Sequence, residues 1–107
     1  MRTLYKKIAV SGTPSATTAL ELKVQEHSKQ TWEFLTTSAN VKVILQSVFT
    51  DEDGTEGDVA DIQTINLTAD VLTIVNFDMK LEHVRCQYDD TGSSMSGILR
   101  IKATTAK

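Results

Sequence analysis

Apolar residues recur at every second position in short segments of this chain, and this spacing constrains its fold more than any other feature. Leu20, Leu22 and Val24 fall on one face of such a segment, whose intervening positions carry charged or amide side chains. Trp32 and Phe34 alternate in the same way in the next segment. Alternation of this kind is typical of an antiparallel strand that buries one face and exposes the other.

The whole chain divides into segments of this type, separated by clusters of Gly, Pro, Asp, Asn and Ser that favour turns. We predict about eight short strands, at residues 3–10, 19–26, 31–36, 41–49, 62–67, 71–77, 82–88 and 97–103. No segment combines an amphipathic helical pattern with a capping residue at its start. The predicted fold class is therefore all-β, a single antiparallel β-sandwich or jelly-roll-like domain, and the pattern is compatible with both topologies.

The length of the chain indicates one domain. Two independent cores within 107 residues would each be near the size at which disulfides or metal ions become necessary. We therefore expect a single domain over residues 1–107, with residues 1–10 as a docking strand or arm. Residues 104–107 are expected to form a frayed tail.

Charge and composition exclude several classes of function. The net charge of −3 and the scattered basic residues argue against nucleic acid as a partner, because phosphate binding needs clustered Lys and Arg. No apolar run approaches the length of a membrane helix. Cys86 is the only cysteine, so no internal disulfide is expected. Lys6 and Lys7 interrupt the N-terminal segment, and we therefore expect no signal peptide.

The acidic segment at residues 51–58 is a candidate cation site. Asp51 and Asp53, with the glycine that follows, match a fragment of the calcium loop of EF-hands. The closing glutamate and the flanking helices of that motif are missing. We interpret the segment as a solvated acidic loop, and a weak calcium site at Asp51, Asp53 and Asp58 is the alternative.

Two further patterns in the sequence resemble parts of catalytic sites. The segment Asp90-Thr91-Gly92-Ser93-Ser94 resembles the active-site loop of aspartic proteases, but only residues 95–107 follow it, too few to support that site. We therefore predict a hairpin turn there. His83 and Cys86 are three positions apart, which on a strand directs them to opposite faces, so they are not expected to form a nucleophile pair. We expect no enzymatic activity and no cofactor.

Three aromatic residues offer an alternative function in carbohydrate binding. Trp32, Tyr5 and Tyr88 would form a stacking platform for sugars if they were exposed on one surface. Trp32 alternates in step with Phe34, however, which favours a position in the core. Carbohydrate binding therefore stays open as the second hypothesis.

The order of segments resembles a known class of proteins. Residues 41–47 form a long predicted strand that leads into Asp53-Gly54-Thr55. Residues 83–88, the turn at 89–94 and a closing strand at 98–102 follow later in the chain. This succession resembles the small β-sandwich accessory proteins of tailed-phage virions, of the head-decoration, cement and neck or tail-attachment class. The chain departs from that pattern at Glu56-Gly57, where many of those proteins carry an Asn-Trp pair.

The resemblance implies a structural role without enzymatic activity. It implies a capsid decoration or cement subunit, with a neck or tail accessory subunit as the alternative, made in the host cytoplasm and located in the virion. Its partners would be other virion proteins, first the major capsid protein, and further copies of itself in a homo-oligomer. A small sandwich docks through flat faces or edge strands. The side chains expected to dock are Leu4, Tyr5, Ile8, Ile98 and Arg100.

Overall fold

The computed structural model describes residues 2–23, 29–78 and 83–106, and these residues form eight β-strands. The strands are β1 Arg2–Gly12, β2 Thr17–Lys23, β3 Lys29–Thr36, β4 Val41–Thr50, β5 Glu56–Asn66, β6 Thr73–Phe77, β7 His83–Asp90 and β8 Met95–Ala106. The all-β fold class predicted from the alternation is confirmed. Within the described ranges there is no helix long and apolar enough to cross a membrane.

The strands form two four-stranded antiparallel sheets, which define the topology. Sheet I has the order β1-β8-β3-β6 and sheet II has the order β2-β7-β4-β5. The first strand therefore pairs with the last, the second with the second-to-last, and so on inward: β1 with β8, β2 with β7, β3 with β6 and β4 with β5. A chain that is folded back on itself in this way and then wound into two sheets is a jelly roll. The structure thus decides between the two topologies that the sequence left open.

The core lies between the two sheets and contains the side chains predicted from the alternation. Trp32 and Phe34 have no exposed surface, and their rings stack with centroids 6.4 Å apart. Stacked aromatic pairs add to the free energy gained from burying their area. The same cluster contains the aliphatic residues of β2, β4, β7 and β8, namely Leu22, Val41, Val43, Leu45, Val84, Leu99 and Ile101.

One predicted core residue is wrong. Strict alternation over the predicted strand at residues 41–49 places Phe49 on the core side with Val41, Val43 and Leu45, but it is 65% exposed, whereas Val48 is 5% exposed. The pairing of β4 with β5 shifts twice, between Leu45 and Gln46 and between Val48 and Thr50, and after the first shift the buried positions pass from Val41, Val43 and Leu45 to Val48. Such an irregularity changes which side chains point inward, so strict alternation fails beyond it.

Among the strand boundaries that differ from the prediction, two fall in segments that were expected to be a loop or a tail. β5 begins at Glu56 rather than Ile62, inside the segment interpreted as an acidic loop. β8 continues to Ala106, through the segment expected to fray, because it is paired on both sides, with β1 and with β3. Val24 and Glu82, which were predicted to lie in strands, are outside the described residues.

The segment after β7 is a turn of a different kind from the one predicted. Asp90 ends β7, and its carboxylate accepts a hydrogen bond of 2.8 Å from the amide of Gly92. β7 belongs to sheet II and the next strand, β8, belongs to sheet I. The segment is therefore a crossing between the two sheets and not a hairpin turn, because the strands that it joins lie in opposite layers.

Candidate docking face and a histidine between two carboxylates

The outer face of sheet I carries large side chains in register across all four strands. Tyr5 is opposite Lys102, Lys102 is opposite Glu33, and Glu33 is opposite Ile74. Side chains alternate between the two faces of a sheet, so these four residues point away from the core. The topology thus brings residues from both ends and the middle of the chain into one row.

A shallow groove of about 210 Å³ runs beside this row. Leu35, Leu72 and Arg100 line it together with Tyr5 and Lys102. We call the side chains of this surface the sheet I face, defined as Tyr5, Leu35, Leu72, Ile74, Arg100 and Lys102. Tyr5, Leu72 and Ile74 are 58%, 53% and 52% exposed, so three large apolar side chains on this face are open to solvent.

The charges on this face are mainly positive. Lys7 is opposite Arg100 and both are exposed, while the ammonium of Lys102 lies 3.4 Å from the Glu33 carboxylate. Around the row, the carboxylate of Glu33 is therefore accompanied by three cations, Lys7, Arg100 and Lys102, although the whole chain carries a net charge of −3. The face combines apolar side chains with cations at its centre, so a complementary surface would be apolar and acidic.

The five side chains expected to dock are divided between the two sides of sheet I. Tyr5 and Arg100 belong to the sheet I face, and Ile98 is half-buried on the same side of β8. Leu4 and Ile8 pack against the core. The structure therefore brings together only part of the expected set, because the N-terminal strand alternates between the core and the outside.

The sequence reasoning missed three apolar members of the sheet I face, Leu35, Leu72 and Ile74. Leu72 and Ile74 belong to a segment in which Val75 and Phe77 point inward, so Ile74 must point outward by the period of two. That signal was present in the sequence. What the sequence does not show is that Ile74 and Tyr5 lie in one row, because the row depends on the order of strands in the sheet.

A second cluster lies on sheet II and was also missed. His83 on β7 is 4% exposed, and its Nε2 lies 2.8 Å from Oε2 of Glu21 on β2. Its Nδ1 lies 3.9 Å from Oε1 of Glu56 on β5, and the ammonium of Lys23 lies 3.5 Å from the same oxygen. Glu21 and His83 are separated by 62 positions in sequence, so no local spacing indicates this contact.

The three aspartates of the candidate calcium site are not gathered around one point. Among the described residues, the only group of three or more carboxylate, imidazole or thiol ligands within 4.8 Å of one another is Glu21, Glu56 and His83. Asp53 Oδ1 accepts a hydrogen bond of 2.9 Å from the amide of Thr55, and this bond lowers the pKa of Asp53. Asp53 thus stabilises the turn between β4 and β5.

The aromatic platform for sugars does not form. Trp32 is buried in the core, where its Nε1 donates to Oε1 of Gln30 at 3.2 Å, and Tyr88 packs partly against the same core. Only Tyr5 is exposed. Cys86 is buried, and burial raises the pKa of its thiol to about 12.

No family model and no curated protein matches the sequence of this chain. Solved structures with the same fold are found nevertheless. A crystal structure of PirA is similar with a TM-score of 0.68 and 12% identity, covering 94% of this chain and 93% of that chain. The VP2 subviral particle of infectious bursal disease virus is similar with a TM-score of 0.55 and 12% identity, covering 94% of this chain.

This chain spans about a third of the viral subunit, 32% of its length. The SPBc2 prophage-derived protein YomS is similar with a TM-score of 0.50 and 13% identity, covering 97% of this chain and 96% of that chain. At these identities the similarity establishes the fold. The chain is a jelly-roll domain of the kind that recurs in these three proteins.

Proposed function

We propose that this chain is a structural subunit of a virion that binds the protein shell through the sheet I face. In its specific form the proposal is a capsid decoration or cement subunit whose partner is the major capsid protein. The observation that carries it is the exposure of Tyr5 and Ile74 in one row with Lys102, and of Leu72 in the groove beside that row with Arg100. Exposed large apolar side chains interspersed with cations on one face of a small domain are typical of a protein interaction site.

The composition of the face fits a protein partner. Tyr and Arg are enriched at the centres of interfaces, where an aromatic ring and a guanidinium each contribute large contact area. Tyr5 and Arg100 supply one of each, and Leu72 adds an aliphatic side chain to the same groove. The cations select a partner surface with carboxylates beside an apolar patch.

The comparisons support this proposal through the fold. A jelly roll is the domain type found in the VP2 subviral particle and in a prophage-derived protein of nearly the same length as this chain. Neither similarity identifies the partner of this chain. A position at the neck or tail of the particle is the alternative within the same proposal, and microscopy of labelled particles distinguishes the two positions.

Binding to particles that lack the chain tests the docking surface. Shells assembled without this protein are mixed with the purified chain and separated by sedimentation, and the bound fraction is measured against concentration. Leu72→Asp should weaken binding by about 10-fold or more, because it places a charge among the apolar side chains of the sheet I face.

Phe49→Asp is the matched control for this experiment. Phe49 is 65% exposed and belongs to sheet II, so its replacement changes a similar apolar area on another surface. We expect its binding to equal that of the unchanged chain. Equal losses in both variants, or no loss in Leu72→Asp, would contradict docking through the sheet I face.

We also propose that the chain acts as a homo-oligomer. Both sheets have open edges, at β1 and β6 in sheet I and at β2 and β5 in sheet II. Open edges are the places where copies of a small sandwich add to each other. Sedimentation velocity at a series of concentrations measures the mass of the species, and a monomer throughout would contradict this part of the proposal.

A further inference from the structure

The imidazole of His83 lies between two carboxylates that come from two other strands. Its Nε2 is 2.8 Å from Glu21 Oε2, which is a hydrogen-bond distance. A carboxylate only accepts hydrogen bonds, so Nε2 carries the proton and donates it to Glu21. In the neutral ring this leaves a lone pair on Nδ1, which is 3.9 Å from Glu56 Oε1 and has no hydrogen bond to any described residue. Two electron-rich atoms face each other there, and a cation between them removes their repulsion.

This arrangement has the connectivity of a carboxylate–histidine–metal site. In such sites the ligating histidine donates its other N–H to a carboxylate, which fixes the tautomer and the direction of the ring. We infer that His83 Nδ1 and the Glu56 carboxylate bind a divalent transition-metal ion of the zinc type, with Glu21 as a positioning residue. An imidazole with a carboxylate suits zinc, whereas calcium prefers oxygen ligands alone.

The distances require only a small adjustment. Tetrahedral zinc with ligands at about 2.0 Å holds two ligand atoms about 3.3 Å apart, so Nδ1 and the Glu56 oxygen must approach by about half an ångström. The Glu56 side chain is 46% exposed and is free to move by that amount, whereas His83 is fixed by burial and by Glu21. The exposed side of the site leaves room for water as the remaining ligands.

Lys23 competes with the metal ion for Glu56. Its ammonium lies 3.5 Å from Glu56 Oε1, and its side chain is 66% exposed. An exposed ion pair of this kind contributes little free energy, so a divalent ion can displace the ammonium. The competition gives the inference a specific consequence: removal of the lysine charge should strengthen metal binding, while removal of either glutamate charge should weaken it.

Calorimetric titration of the full chain with zinc chloride tests the site. Lys23→Gln should bind zinc several-fold more tightly than the unchanged chain. Glu21→Gln should bind about 10–100-fold more weakly, the usual effect of losing a carboxylate that orients a ligating histidine. Glu56→Gln should lose saturable binding. Glu52→Gln is the matched control, since it removes the same charge from the adjacent turn, and its affinity should be unchanged.

Nitrogen NMR of the histidine side chains tells a metal ion from a proton and identifies the ligand atom. Zinc should shift the Nδ1 resonance of His83, while Nε2 keeps its proton. The inference is overturned if no saturable binding occurs, if Glu56→Gln binds as Glu52→Gln does, if zinc shifts Nε2 instead, or if the ring responds to acid and not to zinc. The site lies on sheet II, so these outcomes are independent of docking through the sheet I face.

Discussion

Gly97 lies where the loop after β3 crosses β8, and this crossing requires a glycine. Its φ is +152°, and a Cβ on it would lie 2.6 Å from Oγ1 of Thr37 and 3.0 Å from the amide nitrogen of Ser38. The loop is held in that position, because Thr37 Oγ1 accepts the amide of Ile98 at 2.9 Å and Ser38 Oγ accepts the amide of Ser96 at 2.8 Å. The loop therefore cannot move away without losing hydrogen bonds.

Gly97→Ala should lower the free energy of unfolding by about 3 kcal/mol, through overpacking and an unfavourable backbone angle. Gly12→Ala is the control, since Gly12 has a φ of +67° but no atom within 4 Å of the added Cβ. Its cost should be about 1 kcal/mol, from the backbone alone. Urea denaturation measures both values, and equal costs would show that the loop does not restrict this position.

The thiol of Cys86 makes stability depend on pH in the alkaline range. Burial raises its pKa from the ordinary 9.0 to about 12, because the thiolate loses its hydration in the core. Between these values the unfolded chain releases the proton and the folded chain keeps it. The stability contributed by the neutral thiol is therefore complete below pH 9 and falls as the pH rises, by about 1.4 kcal/mol per pH unit.

Cys86→Ala has no thiol and should lack this slope, although it is less stable by a constant amount because of the cavity it leaves. The free energy of unfolding of both proteins, measured from pH 8 to pH 11, gives the difference that isolates the thiol. The advantage of the unchanged chain should shrink as the pH rises. A difference that is constant across this range would contradict the burial of Cys86.

At the residue scale, the sequence predicts burial wherever the alternation is unbroken. Trp32 and Phe34 were placed correctly because their strand has no irregularity on either side. Phe49 was misplaced because the shift in pairing next to it depends on β5, which is a separate segment of the chain. The contact of His83 with Glu21 likewise depends on the pairing of β2 with β7, which no local pattern specifies.

At the scale of elements, β1 is a structural strand of sheet I and not a free arm. It pairs with β8 along its whole length, from Arg2 opposite Thr105 to Gly12 opposite Met95. Deletion of residues 1–10 should therefore remove an edge strand and abolish cooperative unfolding, as measured by circular dichroism. Side-chain substitutions such as Leu72→Asp test docking without this effect.

The register of β4 against β5 predicts opposite responses at neighbouring positions. Val43 has no exposed surface and is paired with Ile65, whereas Thr64 is exposed on the outer face of β5. Val43→Asp should cost about 4 kcal/mol or more, because it buries an unpaired charge. Thr64→Asp should change the free energy of unfolding by less than about 0.5 kcal/mol.

Thermal denaturation of the two variants compares them directly. If both substitutions destabilised the protein alike, the assignment of inner and outer faces in sheet II would be wrong, because a shift of one residue exchanges the two faces.

The existence of the strands could be predicted from the sequence, but the limits of β5 could not. Residues 56–61 contain three acidic side chains and a glycine, and their composition is typical of a loop. They form a strand because the tight turn before them, closed by the hydrogen bonds of Asp51 with Gly54 and Thr55, positions them beside β4. Pairing with a neighbour here outweighs the local preference of the residues.

At the scale of the whole molecule, the strand order creates the sheet I face. β1 and β8 are at opposite ends of the chain, and β3 and β6 come from its middle, yet all four lie side by side. The alternation shows which residues of each strand point outward but not which strands are neighbours. For this reason Tyr5 and Arg100 could be selected from the sequence, whereas Leu72 and Ile74 could not be joined to them.

Two ion-paired lysines allow a direct test of whether the chain binds the shell through the sheet I face. Lys102 is on the sheet I face, 3.4 Å from Glu33, and Lys23 is on sheet II, 3.5 Å from Glu56. Their side chains are 48% and 66% exposed in the isolated chain. Acylation of lysines, followed by mass spectrometry, measures the accessibility of each amine in the free chain and in the chain bound to the shell.

If the chain binds the shell through the sheet I face, acylation of Lys102 should fall strongly in the bound chain, while Lys23 should react equally in both states. Unchanged reactivity of Lys102, or protection of Lys23 in its place, would contradict docking through the sheet I face.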